Sequence, residues 1–184
     1  MKANKFFIEI GSCDFDTLNI LGKNGWSGII VEPISEYLSA LKKIDAVEYV
    51  NCAIDTKSGY REMNTFKEGI VKNDHDYAGM SSFTEYTLPL NKELVEPRTV
   101  PTMTYQELID TYNVERVDFL KIDTEGHDFE ILKTVDFTAP QRPHLIKLEH
   151  KHLRGQEHLV DEFLHHNGYH TYFELSDIYA IDLF

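Results

Sequence analysis

Cysteine is nearly absent from this chain. Its 184 residues include only Cys13 and Cys52, too few for a disulfide framework, and both read as reduced thiols of a cytoplasmic protein. There is no run of 18 apolar residues, so no membrane-spanning helix is expected. The opening stretch MKANKFFIEIGSCDF has one short apolar run that Glu9 interrupts; it makes a poor signal peptide and a good first strand. Positive charge is also scarce: 18 Lys and Arg against 31 Asp and Glu, for a formal net charge of −13. Such a surface repels nucleic acid and anionic membrane and favours a neutral or cationic small molecule. Repeats, low-complexity tracts and linkers are missing too, which leaves a single domain over 1–184. At 42% hydrophobic and 12% aromatic, that domain has enough apolar material for a core.

What is present is an alternation of strand and helix patterns, the mark of a mostly parallel α/β sheet. KFFIEIGS (5–12) reads as a first strand, DTLNILGKNG (16–25) as a short helix with Leu18 and Leu21 inward, and SGIIVEP (27–33) as a second strand. ISEYLSALKKI (34–44) carries apolar residues at helical spacing, and VEYVNCAID (47–55) reads as a third strand. In TYQELIDTYN (104–113) Thr104 and Glu107 make a capping box. VDFLKID (117–123) and PHLIKLEH (143–150) are the fourth and fifth parallel strands, 156–167 is a helix closed by Gly168, and the tail 169–184 splits at Ser176-Asp177 into a hairpin. Residues 60–103 break the alternation. YREMNTF suits a strand, and the remainder reads as a long loop or lid. Asp74, His75, Asp76, Tyr77 and Tyr86 within it read as solvated by default, with substrate contact as the alternative.

Ligands of open parallel sheets bind at the carboxyl ends of the strands, and those ends are acidic here: Asp14, Glu32, Asp55, Asp123 with Glu125, and Glu149 followed by His150. Glu32 stands about 20 residues beyond Gly11, the spacing at which a dinucleotide fold places an acid on ribose hydroxyls. Yet the first turn, GSCDFD, is no GxGxxG. A pyrophosphate needs glycines for close backbone approach and no nearby anions, whereas this turn offers Asp14 and Asp16. The chemistry suits a phosphate-free, cationic nucleoside such as S-adenosylmethionine. Glu32 is then the ribose acid, and Asp55 is placed for the adenine amino group.

VDFLKIDTEGHDFEIL (117–132) resembles the signature of the FkbM-type methyltransferases, a Lys-Ile-Asp-x-Glu-Gly strand end followed by a helix. IEIGSCDFDTL, IIVEPISEYLSAL, NCAID, GMSSF, VPTMTYQELID and RPHLIKLEH are similar to further family segments in the same order, over about residues 7 to 150. The resemblance implies a Rossmann-like class I methyltransferase fold: a seven-stranded, mostly parallel sheet with a C-terminal antiparallel hairpin. It implies S-adenosyl-L-methionine as methyl donor and O-methylation of a sugar or other small metabolite. It places cofactor contacts at Glu9, Gly11, Ser12 and Asp14 after strand one, at Glu32 and Pro33 after strand two, at Ala53, Ile54 and Asp55 after strand three, and at Asp123. Glu9 stands where an aspartate is common in the family, and Phe15 replaces the usual later glycine.

A hydroxyl acceptor must lose its proton, and a positioned base helps by about 10²–10⁴-fold. The candidates are Asp123, Glu125, His127 and His150. Asp123 is favoured; Glu125 divides between catalysis and capping the next helix, and His127 reads as a surface group. Glu149, His150 and His152 with Asp123 offer ligands for a hard divalent cation. They match no fixed ligand spacing, and no metal residue is assigned. A non-catalytic nucleoside-binding domain and an NAD-linked oxidoreductase are the alternative functions. The expected partner is a small-molecule or glycan acceptor.

Overall fold

The computed structural model describes residues 5–15, 18–66, 71–72, 75–76, 79–84, 94–153 and 155–184. In chain order its elements are β1 (Phe6–Ile10), α1 (Asn19–Lys23), β2 (Ser27–Val31), α2 (Ser35–Ala40), β3 (Val47–Val50), β4 (Ala53–Ile54), β5 (Gly59–Phe66), β6 (Val71–Lys72), β7 (His75–Asp76), β8 (Val95–Met103), α3 (Tyr105–Thr111), β9 (Phe119–Ile122), α4 (Asp128–Leu132), β10 (Leu145–Glu149), α5 (Glu157–His166), β11 (Tyr169–Glu174) and β12 (Asp177–Asp182).

Seven strands form the main sheet in the order β11-β12-β10-β9-β1-β2-β3. The pairs from β10 to β3 are all parallel. β12 runs antiparallel to both β10 and β11, which makes the expected C-terminal hairpin. Period-two alternation divides the core between the two faces. Ile8, Ile10, Ile29, Val31, Leu120 and Ile122 meet Leu108 and Ile109 of α3, Ile131 and Leu132 of α4, and Val160 and Leu164 of α5. On the other face Phe7 and Ile30 meet Leu18, Leu38 and Leu41 around α1 and α2. Fully burying each such side chain stabilises the fold by about 1.5–3 kcal/mol. The Thr104–Glu107 capping box forms as expected: Thr104 Oγ1 accepts from Glu107 N at 3.1 Å, and Glu107 Oε2 accepts from Thr104 N at 3.0 Å.

Two expectations are corrected. VEYVNCAID is not one strand. The chain leaves the main sheet after Val50, and Ala53–Ile54 pairs instead with β8 in a second sheet of order β4-β8-β5. The 60–103 segment, expected to be mostly loop, begins and ends as this second sheet, with β5 and β8 antiparallel from Gly59↔Thr102 to Phe66↔Val95. Alternation in VEPRTVPTM is masked by two prolines, and a long-range partner is what makes it a strand. Ile34, Ala53, Met63 and Val100 form a small core that fixes the second sheet beside the carboxyl edge of the first. Among the described residues no helix is long and apolar enough to cross a membrane.

Candidate active site

Strand order reverses between β1 and β9, and at such a switch point the diverging loops leave a crevice at the carboxyl ends of the strands. A cleft enclosing about 780 Å³, including the open space at its mouth, lies there. Ile10, Gly11, Ser12 and Cys13 line it from β1, Val31, Glu32 and Pro33 from β2, Cys52, Ala53 and Ile54 from β4, and Asp123, Thr124 and Glu125 from β9. Met63 of β5 and Gly79, Ser81 and Phe83 close the remaining side.

The first turn is tightly held. Gly11 N donates to Val31 O and Asp123 N donates to Ile10 O, both at 2.9 Å, so the turn stays zipped to both neighbouring strands. Gly11 has φ +81°, and a Cβ added there would lie 1.9 Å from the Asp123 carbonyl oxygen. Glu32 is buried, and its carboxylate accepts from Cys13 N and Ile34 N, each at 2.8 Å. Burial pushes its carboxyl up to about 7 against the pull of these N–H groups. Burial also pushes the Cys13 thiol up to about 12, so this cleft thiol stays protonated.

The turn after β9 is built by a residue that sequence reading did not single out. Asp128, fully buried, accepts from Thr124 N at 3.2 Å, Thr124 Oγ1 at 3.1 Å and Gly126 N at 3.0 Å. Burial, with Asp123 nearby, pushes its carboxyl up to about 7. Asp128 thus holds the turn ahead of α4, whose N-cap residue, His127, makes no side-chain capping bond. Glu125 itself sits at φ +56°, sparsely populated by non-glycine residues. Its carbonyl accepts from Ser82 Oγ at 2.8 Å and Thr84 Oγ1 at 3.3 Å, and its carboxylate lies 2.8 Å from His152 Nδ1. Burial, then Glu149, Asp123 and Asp128, push it up to about 8.

Several expected site residues lie elsewhere. Glu9 is fully buried and does not line the cleft. Its Oε1 accepts from Lys121 Nζ at 2.8 Å and its Oε2 from Leu18 N at 3.2 Å. Lys121 Nζ is also 3.4 Å from Asp123, so this buried pair braces the floor under the partly exposed Asp123. Asp55 is buried behind the cleft wall, bonded to Arg61 at 2.8 Å, Thr56 N at 2.7 Å and His127 Nε2 at 2.9 Å. Burial raises its carboxyl, but the bonds from Arg61, Thr56 and His127 outweigh burial and hold it below its ordinary value. His127, expected at the surface, is buried. The positive-φ pair Glu125-Gly126 turns it inward, edge-on to Phe83 at 5.4 Å. Asp14 is exposed beside the mouth. His150 turns away to the hairpin, its Nε2 3.0 Å from Leu175 O. Asp74, Tyr77 and Tyr86 lie outside the described residues, as do the side chains of His75 and Asp76.

A pH dependence of stability follows. Unfolded Asp and Glu titrate near about 3.9 and 4.3, whereas Asp128 and Glu32 titrate near 7 in the fold. Between those limits the folded state binds more protons. Their contribution is full below about pH 4 and is lost as pH rises through 7. Urea titrations from pH 5 to 8 are expected to show falling stability, with a shallower slope in Asp128→Asn.

The topology and the switch-point cleft define a Rossmann-like class I methyltransferase fold. The family model described as "Methyltransferase FkbM domain" matches residues 5–171, and the chain belongs to that family of methyltransferases. Among solved structures, the chain is similar to the crystal structure of a fibrillarin/Nop5p complex, with a TM-score of 0.49 and 10% identity over 98% of this chain and 72% of that one. It is also similar to a human methyltransferase 10 domain containing protein, with a TM-score of 0.48 and 13% identity over 100% and 73%. No curated protein matches its sequence.

Proposed function

We propose that the domain transfers a methyl group from S-adenosylmethionine to a hydroxyl of a sugar or another small polyhydroxylated metabolite. The observation that carries this is Glu32. Its carboxylate is anchored by Cys13 N and Ile34 N in the lining of a cleft that also receives Asp123 and Glu125 and whose first turn offers no glycine cradle for a phosphate. The residues present fit the cofactor: Glu32 has lone pairs left for ribose hydroxyls, Ala53 and Ile54 offer an apolar seat for the base, and the carboxylate field favours a cation. Bound there, the cofactor supplies an electrophilic methyl on a sulfonium with a neutral thioether as leaving group.

The chain's own contribution is alignment and proton handling. Fixing two reactants in line is worth roughly 7–11 kcal/mol of barrier, and the two braced turns after β1 and β9 provide that rigidity. Asp123 stands partly exposed at the mouth, its backbone fixed by Ile10 and its carboxylate by Lys121. It is the group to orient the acceptor hydroxyl and accept its proton.

Calorimetry with S-adenosylmethionine, S-adenosylhomocysteine and NADH is the test. The two sulfur nucleosides are expected to bind and NADH is not. Glu32→Gln is expected to weaken S-adenosylhomocysteine at least tenfold, while Asp123→Asn keeps it within a few-fold. No binding of either sulfur nucleoside to folded protein overturns the reading, and binding of NADH alone favours a nicotinamide-linked enzyme.

A further inference from the structure

Glu125, at the end of β9, meets two side chains from the end of β10. His152 Nδ1 lies 2.8 Å from Glu125 Oε2 and 2.9 Å from Glu149 Oε2, and the three donor atoms fall within 4.8 Å of one another. An imidazole Nδ1 carries at most one proton, yet here it faces two carboxylate oxygens at full hydrogen-bond distance. Three donors at right angles around an ion, each about 2.1 Å away, stand about 3.0 Å apart. The two spacings from His152 are within a few tenths of that, and the two carboxylates hold their ligand atoms within 4.8 Å of each other. His150, the other histidine of this segment, is turned away to Leu175, so the sequence cluster resolves into a different set once folded, with Glu125 in place of His150 and Asp123.

Among the described residues acids outnumber cations around this cluster, with Lys151 acting on both glutamates. Asp123 and Asp128 add to the two glutamates. Lys121 is bonded to Glu9, and Lys151 is exposed. One of the three donors reaches the cleft: Glu125 lines it beside Asp123. Its carboxylate is aimed by a backbone that Ser82 and Thr84 clamp at the carbonyl.

We propose that Glu125, Glu149 and His152 bind a divalent first-row transition cation whose remaining positions open toward the cleft, where two neighbouring oxygens of the acceptor complete its shell. One imidazole with two carboxylates suits Mn²⁺ or Zn²⁺ better than Ca²⁺, which takes oxygen ligands alone. The acceptor is thereby narrowed to a vicinal diol or hydroxy-carbonyl unit. This last step rests on the methyltransferase reading; the cation site itself does not.

The test is titration of the full chain with Mn²⁺, followed by calorimetry and by the loss of the free-ion paramagnetic resonance signal. S-adenosylhomocysteine is titrated separately into the same preparation. One Mn²⁺ per chain is expected, with affinity reduced at least tenfold in Glu149→Gln and in His152→Gln. Asp161→Asn, in the unrelated α5 pair with His165, is expected to leave it unchanged. Circular dichroism confirms that each variant is folded. Failure of wild-type protein to bind Mn²⁺, or wild-type affinity in both site variants, overturns the cation site. Mn²⁺ binding without S-adenosylhomocysteine binding keeps the site and removes the acceptor assignment.

Discussion

Gly11→Ala is expected to be among the most damaging single-methyl changes in this protein. Two costs combine. At φ +81° a side chain meets the left-handed penalty of roughly 1–2 kcal/mol. The new Cβ would also lie 1.9 Å from the Asp123 carbonyl oxygen, a backbone atom that cannot rotate away; overpacking of this kind costs about 1–3 kcal/mol or more. The strand ends must part, which shifts both the first turn and Asp123. Urea denaturation should register a loss of about 2–5 kcal/mol, and S-adenosylhomocysteine affinity should fall by at least tenfold in whatever protein remains folded. Gly25 separates the two costs. It has φ +87° but nothing within 4 Å of an added Cβ, so Gly25→Ala should show the dihedral penalty alone. Equal losses at the two positions would refute the clash and leave backbone conformation as the whole effect.

Lys121→Met is expected to cost about 3–5 kcal/mol, the usual penalty for taking one partner from a buried ion pair. Lys121 and Glu9 are 5% and 0% exposed at their side chains and 2.8 Å apart. They sit directly opposite each other on adjacent strands. The methionine fills the space of the aliphatic stem but takes the Lys121 ammonium away from the buried Glu9 carboxylate, which keeps its bond from Leu18 N. Adding Glu9→Gln removes that buried charge, so the double variant should recover more than half of the loss. Because Lys121 also reaches Asp123, the recovered double variant should still differ from wild type in methyl transfer while retaining S-adenosylhomocysteine binding. Additive losses in the two single variants, with no recovery in the double, would show that the pair contributes nothing as a pair.

How much of this was legible beforehand depends on whether the signal is local. The strands of the main sheet were readable because each is a short apolar run closed by a glycine, a proline or an acid. The capping box at Thr104 is a four-residue pattern and formed as written. The hairpin at Ser176-Asp177 has a local turn. The break of the third strand at Cys52 is not local: Ala53 and Ile54 look like a continuation of Val47–Val50, and only the presence of β8 in space decides that they pair elsewhere. The same holds for 95–103, whose prolines hide a strand that β5 completes.

The site divides along the same line. The sequence by itself determined that acids follow β1, β2, β9 and β10, that the first turn lacks a phosphate cradle, and that the chain resembles FkbM methyltransferases. Those are properties of residue type and spacing, and the strand alternation places them on one edge whatever the loops do. Only the tertiary structure decided which acids face the cleft. It put Glu32 and Asp123 on its lining, drew Glu9 beneath to Lys121, and drew Asp55 behind to Arg61 and His127. It also gave the β9 turn to Asp128 and left Glu125 to His152 and Glu149. A carboxylate takes whichever donors reach it first, and those donors come from segments far apart in the chain, so its role is fixed by packing rather than by its place in the sequence.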